Sequence, residues 1–209
     1  MILIWGWRSL LKVLGIGEFH CPRCQADTEY RLVRPRRWFT MFFIPVVPLS
    51  WGEPYVECQR CNGAYREEIL QAPTNKQFGY MLALGGRAMY AKAVAAGFAH
   101  SEHMIDRAVA QLRPLTGDGY NEANLVADVE AFGERDLGEF LGPLAGNMML
   151  QGREQLISGL VSFVQSDGGV PPAVESVVEE AAGQLQLTAA HLAGIVATVS
   201  AASQNPEVP

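Results

Sequence analysis

Cys21-Pro-Arg-Cys24, followed thirty-three residues later by Cys58-Gln-Arg-Cys61, is the stretch on which the fold of this chain turns. These are all four of its cysteines. Two Cys-x-x-Cys pairs bring four thiolates to the corners of a tetrahedron, the geometry that a structural zinc ion takes. Turn-forming residues follow each pair, Gln25-Ala26-Asp27 and Asn62-Gly63, so each pair is expected to form a tight knuckle. The gap between the pairs is longer than the usual ribbon spacing of about fifteen to twenty residues. A hairpin inserted between the knuckles accounts for the excess.

Other cysteine chemistry fits this pattern less well. Disulfides belong to oxidising compartments, and nothing in the chain reads as a secretion signal. A redox Cys-x-x-Cys usually stands alone beside a βαβ pattern, whereas here two pairs lie in a strand-rich segment. Four thiolates leave no open position for water, so a catalytic zinc is not expected. The expectation is one structural Zn2+ held by Cys21, Cys24, Cys58 and Cys61. His20 is expected beside the site or on the surface rather than as a ligand.

Outward from the knuckles, the amino-terminal Met1-Ile-Leu-Ile-Trp5-Gly-Trp7 is apolar. Arg8 and Lys12 follow it instead of preceding it, and Trp and Gly interrupt it, so it reads as a strand over 2–6 and not as a targeting signal. Residues 8–14 read as a turn of amphipathic helix or a loop. Glu29 to Val33 alternates polar and apolar, as a half-buried strand does. Arg34-Pro-Arg-Arg37 reads as a basic turn, and Trp38 to Ile44 as a buried strand. Pro45, Pro48 and Gly52-Glu-Pro54 then force turns, Tyr55 to Glu57 leads into the second knuckle, and Ala64 to Leu70 closes the module as a strand or short helix.

The cluster Trp38, Phe39, Phe42, Phe43 and Trp51 is expected to form the module's core, with a membrane-surface or partner patch as the sharper alternative. A module this small exposes too much surface to hold together by burial alone. Bound zinc supplies the difference, on the order of 10 kcal/mol. The run from Trp38 to Val47 is too short to cross a bilayer and is broken by Pro45, so no transmembrane segment is expected.

The motif order is an apolar strand with Trp5-Gly6-Trp7, then Cys-Pro-x-Cys, then Trp38-Phe-Thr-Met-Phe-Phe-Ile-Pro-Val-Val-Pro-Leu49, then Tyr55-Val-x-Cys-x-x-Cys61. It resembles a family of bacterial zinc-ribbon proteins that carry a Phe-Phe-Ile-Pro-like strand between their knuckles. The resemblance covers about residues 1–70. It implies a ribbon fold and zinc, and it implies no reaction.

The 209-residue chain has room for one or two domains, and its net charge of -6 is unevenly spread. Residues 1–72 hold nine Lys/Arg against seven Asp/Glu; residues 73–209 hold seven against fifteen. The shift in charge falls where the pattern turns helical, so the expected division is a ribbon at 1–72, a helical domain at 73–201 and a disordered tail at 202–209. The fold class is then α+β, a small antiparallel zinc ribbon followed by an all-α bundle. Met104, Ile105, Ala108, Val109 and Leu112 lie at helical spacing in the Glu102 helix. Leu125 to Phe132 is a further helix, and Asp136 caps the segment Leu137 to Leu141. Leu156, Ile157, Leu160, Val161 and Val164 form one stripe. Val174, Val177, Val178, Ala181, Ala182 and Leu185 form another. Thr188 caps a last helix carrying Leu192, Ile195 and Val196.

Between the two striped helices, Asp167-Gly168-Gly169 ends one and Pro171-Pro172 starts the next. The sharper reading is a cation site built from Asp167 and Glu175; an EF-hand is excluded because its alternating oxygen ligands are missing. This half resembles the TerB family, the tellurite-resistance-associated helical domain. There a helix ends in an Ala-Asp-Gly turn and the next helix carries Glu, the arrangement occurring twice. One copy is legible at Asp167-Gly168 with Glu175. The other falls at Ala95-Ala96-Gly97-Phe98 leading to Glu102, with Ala96 where the family has aspartate. The resemblance covers about residues 78–200, and some family members bind metal through such paired turns.

No phosphate-binding loop, Gly-x-Ser-x-Gly or His-Glu-x-x-His is present in the sequence, and the chain is not expected to be an enzyme. His100 and His103 are spaced to share a helical face but read as exposed or capping residues, and His191 as structural. Three function classes remain. The first is a non-catalytic zinc-binding interaction protein in a membrane-proximal tellurite or metal stress-response assembly. It would have protein partners and peripheral membrane-surface association, and it would lie in the cytoplasm at the inner face of the membrane. The second is nucleic-acid binding through a basic-aromatic patch of Arg34, Arg36, Arg37 and Trp38, which the acidic balance of the chain opposes. The third is a metal sensor using the helical acids.

Overall fold

The computed structural model describes residues 5–41, 44–98, 101–167 and 170–204. The chain forms two compact units, 1–77 and 78–209. Its layout is α+β, an antiparallel sheet followed by seven α-helices among the described residues.

The first unit is built on one long hairpin. Strand β1 (Trp5–Cys21) runs beside β2 (Ala26–Met41), from Cys21 opposite Ala26 to Trp5 opposite Met41. The other edge of β2 serves two strands in turn. Its Tyr30–Val33 stretch pairs with β4 (Tyr55–Cys58), and its Arg36–Met41 stretch pairs with β3 (Ile44–Trp51). Strand β5 (Ala64–Tyr65) lies outside β4, and a 3-10 turn at Glu67–Gln71 follows. β3 and β4 therefore lie end to end along β2. The Gly52 N–H donates to the Pro35 carbonyl (2.8 Å), and Arg34 Nε donates to the Gly52 carbonyl (3.0 Å) at the junction.

This hairpin corrects two local expectations. Residues 8–14 are neither helix nor loop but part of the seventeen-residue β1. Arg34-Pro-Arg-Arg37 is not a turn but the middle of β2. Pro35 is tolerated there because its backbone faces the gap between β4 and β3, where the ladder needs no N–H donor. In both stretches, pairing along the whole hairpin overrides local propensity.

The buried core of the first unit also lies elsewhere than expected. It is Phe19, Cys21, Val56 and Cys58, flanked by Tyr30, Leu32, Tyr65, Ile69 and Leu70. Phe19 meets the Tyr30 ring edge-on at 5.7 Å. Trp38 and Phe39 are only half-buried and Trp51 is exposed; Phe42 and Phe43 lie outside the described residues. The physical reason is that β1, β2 and β3 form a single layer. Side chains on one layer have only their neighbours on the same face to cover them.

The second unit holds most of α1 (Asn75–Ala93), which continues as a π-helical turn at Val94–Phe98, then α2 (Glu102–Thr116), α3 (Glu122–Phe132) and α4 (Gly138–Ala145). After these come α5 (Leu150–Val164), α6 (Pro172–Gln184) and α7 (Ala189–Gln204). The expected α6 stripe is buried throughout. α5 buries Phe163 together with Ile157, Leu160, Val161 and Val164 of its stripe, Leu156 being half-buried, so it is covered on more than one side; the ring sits 5.2 Å from Tyr90 and 5.7 Å from Phe98. Thr188 accepts from the His191 N–H (3.3 Å), as a cap does; the N-cap of α4 is Leu137 and not the expected Asp136, which accepts from the Gly138 N–H (2.9 Å) from one residue earlier. α7 extends to Gln204, so the expected tail at 202 is helical in its first residues; residues 205–209 lie outside the described ones.

One polar cluster is buried in this bundle. Asp128 on α3 is 2% exposed. It accepts from Arg87 Nε on α1 (2.8 Å) and from the Tyr120 hydroxyl (2.6 Å). Burial and the Asp128 carboxylate both push the Tyr120 phenol upward from its usual range. Removing the carboxylate leaves a buried hydroxyl and a half-covered guanidinium without their acceptor. Asp128→Ala is therefore expected to cost about 2 kcal/mol, less than for a fully buried pair because Arg87 reaches water. Denaturant unfolding of the full-length protein checks this. A loss under about 0.5 kcal/mol, typical of an ordinary surface change, would show that the cluster does not tie α1 to α3.

Candidate metal centre

Each knuckle is delivered by the end of a strand. Cys21 closes β1 and Cys58 closes β4, and both are buried; Cys24 and Cys61 lie on the outer turns and are half-buried. The residue after each knuckle, Gln25 or Asn62, takes a left-handed backbone (φ 50° and 53°). Before that reversal, the knuckle backbone turns N–H groups toward sulfur. Cys21 accepts from the amides of Arg23 and Cys24, and Cys58 from those of Arg60 and Cys61. The second knuckle is closed further by the Cys58 N–H donating to the Gly63 carbonyl and the Asn62 N–H donating to the Cys58 carbonyl, both 3.0 Å.

The four sulfur atoms lie within 4.8 Å of one another. Cys21 Sγ is 3.8 Å from Cys61 Sγ, and Cys24 Sγ is 4.0 Å from Cys58 Sγ. A tetrahedron with Zn–S bonds of about 2.3 Å has sulfur–sulfur edges of about 3.8 Å. The donor set and its spacing thus fit one zinc ion, and all four coordination positions are filled by protein.

Two hydroxyls support the thiolates. The Thr28 Oγ1 and the Tyr65 phenol oxygen lie 3.3 Å from Cys58 Sγ and Cys21 Sγ respectively, and each donates when its thiol is ionised. Burial works to raise the Cys58 thiol, but Thr28 and the knuckle amides outweigh it and bring it to about 6. Cys21 is lowered in the same way, burial being opposed by Tyr65 and the amides of Cys24 and Arg23. Cys24 goes the other way, to about 12, through burial and the three sulfurs crowded around it. Without a cation, four thiols this close cannot all ionise.

His20 is not a ligand. Its Nδ1 lies 3.3 Å from Asp27 Oδ1, and Asp27 also accepts from the backbone N–H groups of Asn75 (2.9 Å) and Lys76 (3.1 Å). The Asn75 and Lys76 amides, with His20, hold the Asp27 carboxyl below its usual range. Thr74 and Gln77 complete the start of α1 by exchanging bonds, the Gln77 N–H to Thr74 Oγ1 and the Thr74 N–H to Gln77 Oε1. This Thr-x-x-Gln box was present in the sequence as a helix-start signal; the role of Asp27, forty-eight residues away from Asn75, was not.

The other candidate ligands include residues outside the described ones. Glu175 is exposed in the first turn of α6, and the side chain of Asp167 lies outside the described residues. His103 is exposed on α2, His100 lies outside the described residues, and His191 bonds to Thr188 at 3.0 Å. Among the described residues, the four cysteines are the one group of three or more metal-ligating side chains close enough to share an ion. The basic-aromatic patch is divided by strand alternation. Arg34, Arg36 and Trp38 occupy one face of β2 and Arg37 the other. Arg36 is 4.7 Å from the Trp51 ring centre and 5.3 Å from that of Trp38. The contribution of Trp51 from β3 could be inferred only once the pairing was known.

Two knuckles on a small antiparallel sheet, with four cysteines placed for one tetrahedral ion, define a structural zinc-binding ribbon. In agreement, residues 19–81 match the model of a zinc-ribbon family. No curated protein and no solved structure matches the chain.

Loss of one ligand is expected to undo the ribbon alone. Cys58→Ser should abolish stoichiometric zinc and render residues 1–77 protease-sensitive, with the helical far-ultraviolet signal retained. Simultaneous loss of both units would contradict this. A milder change reports on the supporting hydroxyl. Thr28→Val removes a donor to the Cys58 thiolate, so that thiolate protonates at higher pH. Zinc affinity should fall about 10–100-fold, and zinc release on acidification should move to higher pH; chelator competition and a pH titration of bound zinc check both.

Proposed function

We propose that this protein is a non-catalytic, zinc-stabilised interaction protein whose helical half is a TerB-like docking unit in a membrane-proximal, tellurite- or metal-related stress-response assembly. The observation that carries the reading is coordinative saturation. All four zinc positions are taken by cysteine, so the metal supports a fold and has no open site at which to activate water. The helical half supports the TerB-like part through its two helix-ending turns. Gly97 lies so close to the start of α6 that a Cβ there would meet Val174 at 2.7 Å and Pro171 at 3.0 Å. The turn after α1 and the helix start after Asp167 are therefore neighbours, as the paired arrangement of that family implies. No helix among the described residues is long and apolar enough to cross a membrane. We place the protein in the cytoplasm, at the inner face of the membrane, where reduced thiolates keep their zinc.

Titration of the zinc-loaded full-length protein tests the reading against its two rivals. Calorimetry with Ca2+, Mg2+ and Mn2+ is expected to show no second saturable site. A second metal equivalent that disappears in Asp167→Ala would turn the protein into a metal sensor. Binding of a single-stranded oligonucleotide is expected to be absent near physiological salt. Tight binding that collapses about a thousandfold or more as salt rises fourfold would instead mark a nucleic-acid-binding ribbon.

A further inference from the structure

The hairpin beyond the zinc site is sorted by charge along its length. No charged residue occurs from Met1 to Trp7 or from Trp38 to Gly52, and no Asp or Glu occurs in 1–17 or 30–52. Strand pairing sets these uncharged stretches side by side, with Trp7 opposite Phe39, Phe39 opposite Val47 and Met41 opposite Ile44. The apolar side chains at this end stand in solvent: Trp7 is 71% exposed, Ile44 65% and Val46 51%. Immediately behind them comes a band of cations, Arg8, Lys12, Arg34, Arg36 and Arg37. Arg8, Lys12, Arg34 and Arg36 share one face of the ladder, with Lys12 opposite Arg34 and Arg8 opposite Trp38, and Arg37 stands on the other face opposite Ser9. Arg31, further back, is already paired with Glu57 at 3.0 Å. The arm is thus apolar at its far end and purely cationic next to it.

We propose that this arm, the far parts of β1, β2 and β3, is a peripheral membrane anchor for bilayers with anionic headgroups. The proposal deepens the membrane-proximal element of the function above and rests on that element. The apolar end enters the boundary between headgroups and acyl chains, and the Arg/Lys band lies on the lipid phosphates. The dimensions agree. Three residue steps separate the Arg8–Trp38 pair from the Trp5–Met41 pair, about 10 Å of strand, which is the depth of interfacial insertion. Among the described residues the outer edges of β1 and β3 have no partner strand, an arrangement suited to the interface and not to the hydrocarbon interior. Trp38 and Trp51 sit at the level of the cations, where amphipathic rings settle in bilayers. A nucleic acid fits less well. The rings of Trp38 and Trp51 are already faced by guanidinium groups, and the most exposed large apolar side chains on β3 are aliphatic Ile44 and Val46, which offer no stacking surface.

All four tryptophans, Trp5, Trp7, Trp38 and Trp51, belong to these strands, so selectively excited tryptophan emission reports on the arm alone. Zinc-loaded full-length protein is mixed with vesicles of phosphatidylcholine, with or without phosphatidylglycerol. The expected result is co-flotation and a blue-shifted emission with phosphatidylglycerol only, quenched by brominated acyl chains. Ile44→Asp/Val46→Asp is expected to weaken binding at least about tenfold with zinc content and helicity unchanged. Arg8→Gln/Arg37→Gln should weaken it about fivefold per charge.

Absence of a blue shift with wild-type protein overturns the anchor without recourse to any variant. So does equal binding to neutral vesicles, undiminished binding by the Asp variants, or displacement of vesicles by a single-stranded oligonucleotide. The vesicle assay involves no second metal and no helical partner. A negative result therefore removes the anchor and leaves the zinc-stabilised interaction protein standing, whereas a second metal equivalent removes that function and leaves the anchor.

Discussion

Four sulfur atoms within 4.8 Å of one another set the condition that the first unit must meet. As thiols they cannot all ionise: the Thr28 hydroxyl and the knuckle amides outweigh burial and hold Cys58 down, while burial and the neighbouring sulfurs push Cys24 up. As four thiolates they repel. A divalent cation at the centre removes both problems and joins the end of β1 to the end of β4. The buried apolar side chains around it are few, chiefly Phe19 and Val56, and a core of that size does not hold an independent fold. The metal is therefore the main term in the stability of the ribbon, and the knuckle amides, Thr28 and Tyr65 determine how firmly it is held.

With one end of the hairpin fixed in this way, the other end is free of the usual demand to bury its apolar face. A long strand, β2, is paired on both sides, so its backbone is satisfied along most of its length. Many of the arm's apolar side chains are exposed, because β1, β2 and β3 form a single layer. Such a surface carries a risk of edge-to-edge association. Pro45 and Pro48 in the outer strand β3 and the cations of the adjacent band are devices that limit it. The same composition that guards the edge gives the arm its affinity for a negatively charged surface.

The zinc site was legible almost completely from spacing, because Cys-x-x-Cys has little other use when it occurs twice. The helices of the second unit were legible from their apolar stripes, as at Val174 to Leu185, and from a cap such as Thr188. What the sequence concealed was non-local. Arg34-Pro-Arg-Arg37 has the composition of a turn, and only its pairing with β1 reveals it as strand. The aromatic residues around Trp38 have the composition of a core, and only the single layer formed by β1, β2 and β3 leaves Trp38 and Phe39 half-buried and Trp51 exposed. Asp27 at the start of α1, and Asp128 between Arg87 and Tyr120, depend on partners more than seven residues away in sequence. No periodicity announces such contacts.

The most direct test of the central claim is metal analysis with X-ray absorption on reduced protein purified without a metal-binding tag. The account predicts one zinc per chain with four sulfur neighbours at about 2.3 Å and no nitrogen or oxygen in the coordination sphere. Fully reduced, folded protein that contains no zinc, or a zinc ion with fewer than four sulfur ligands, would contradict it.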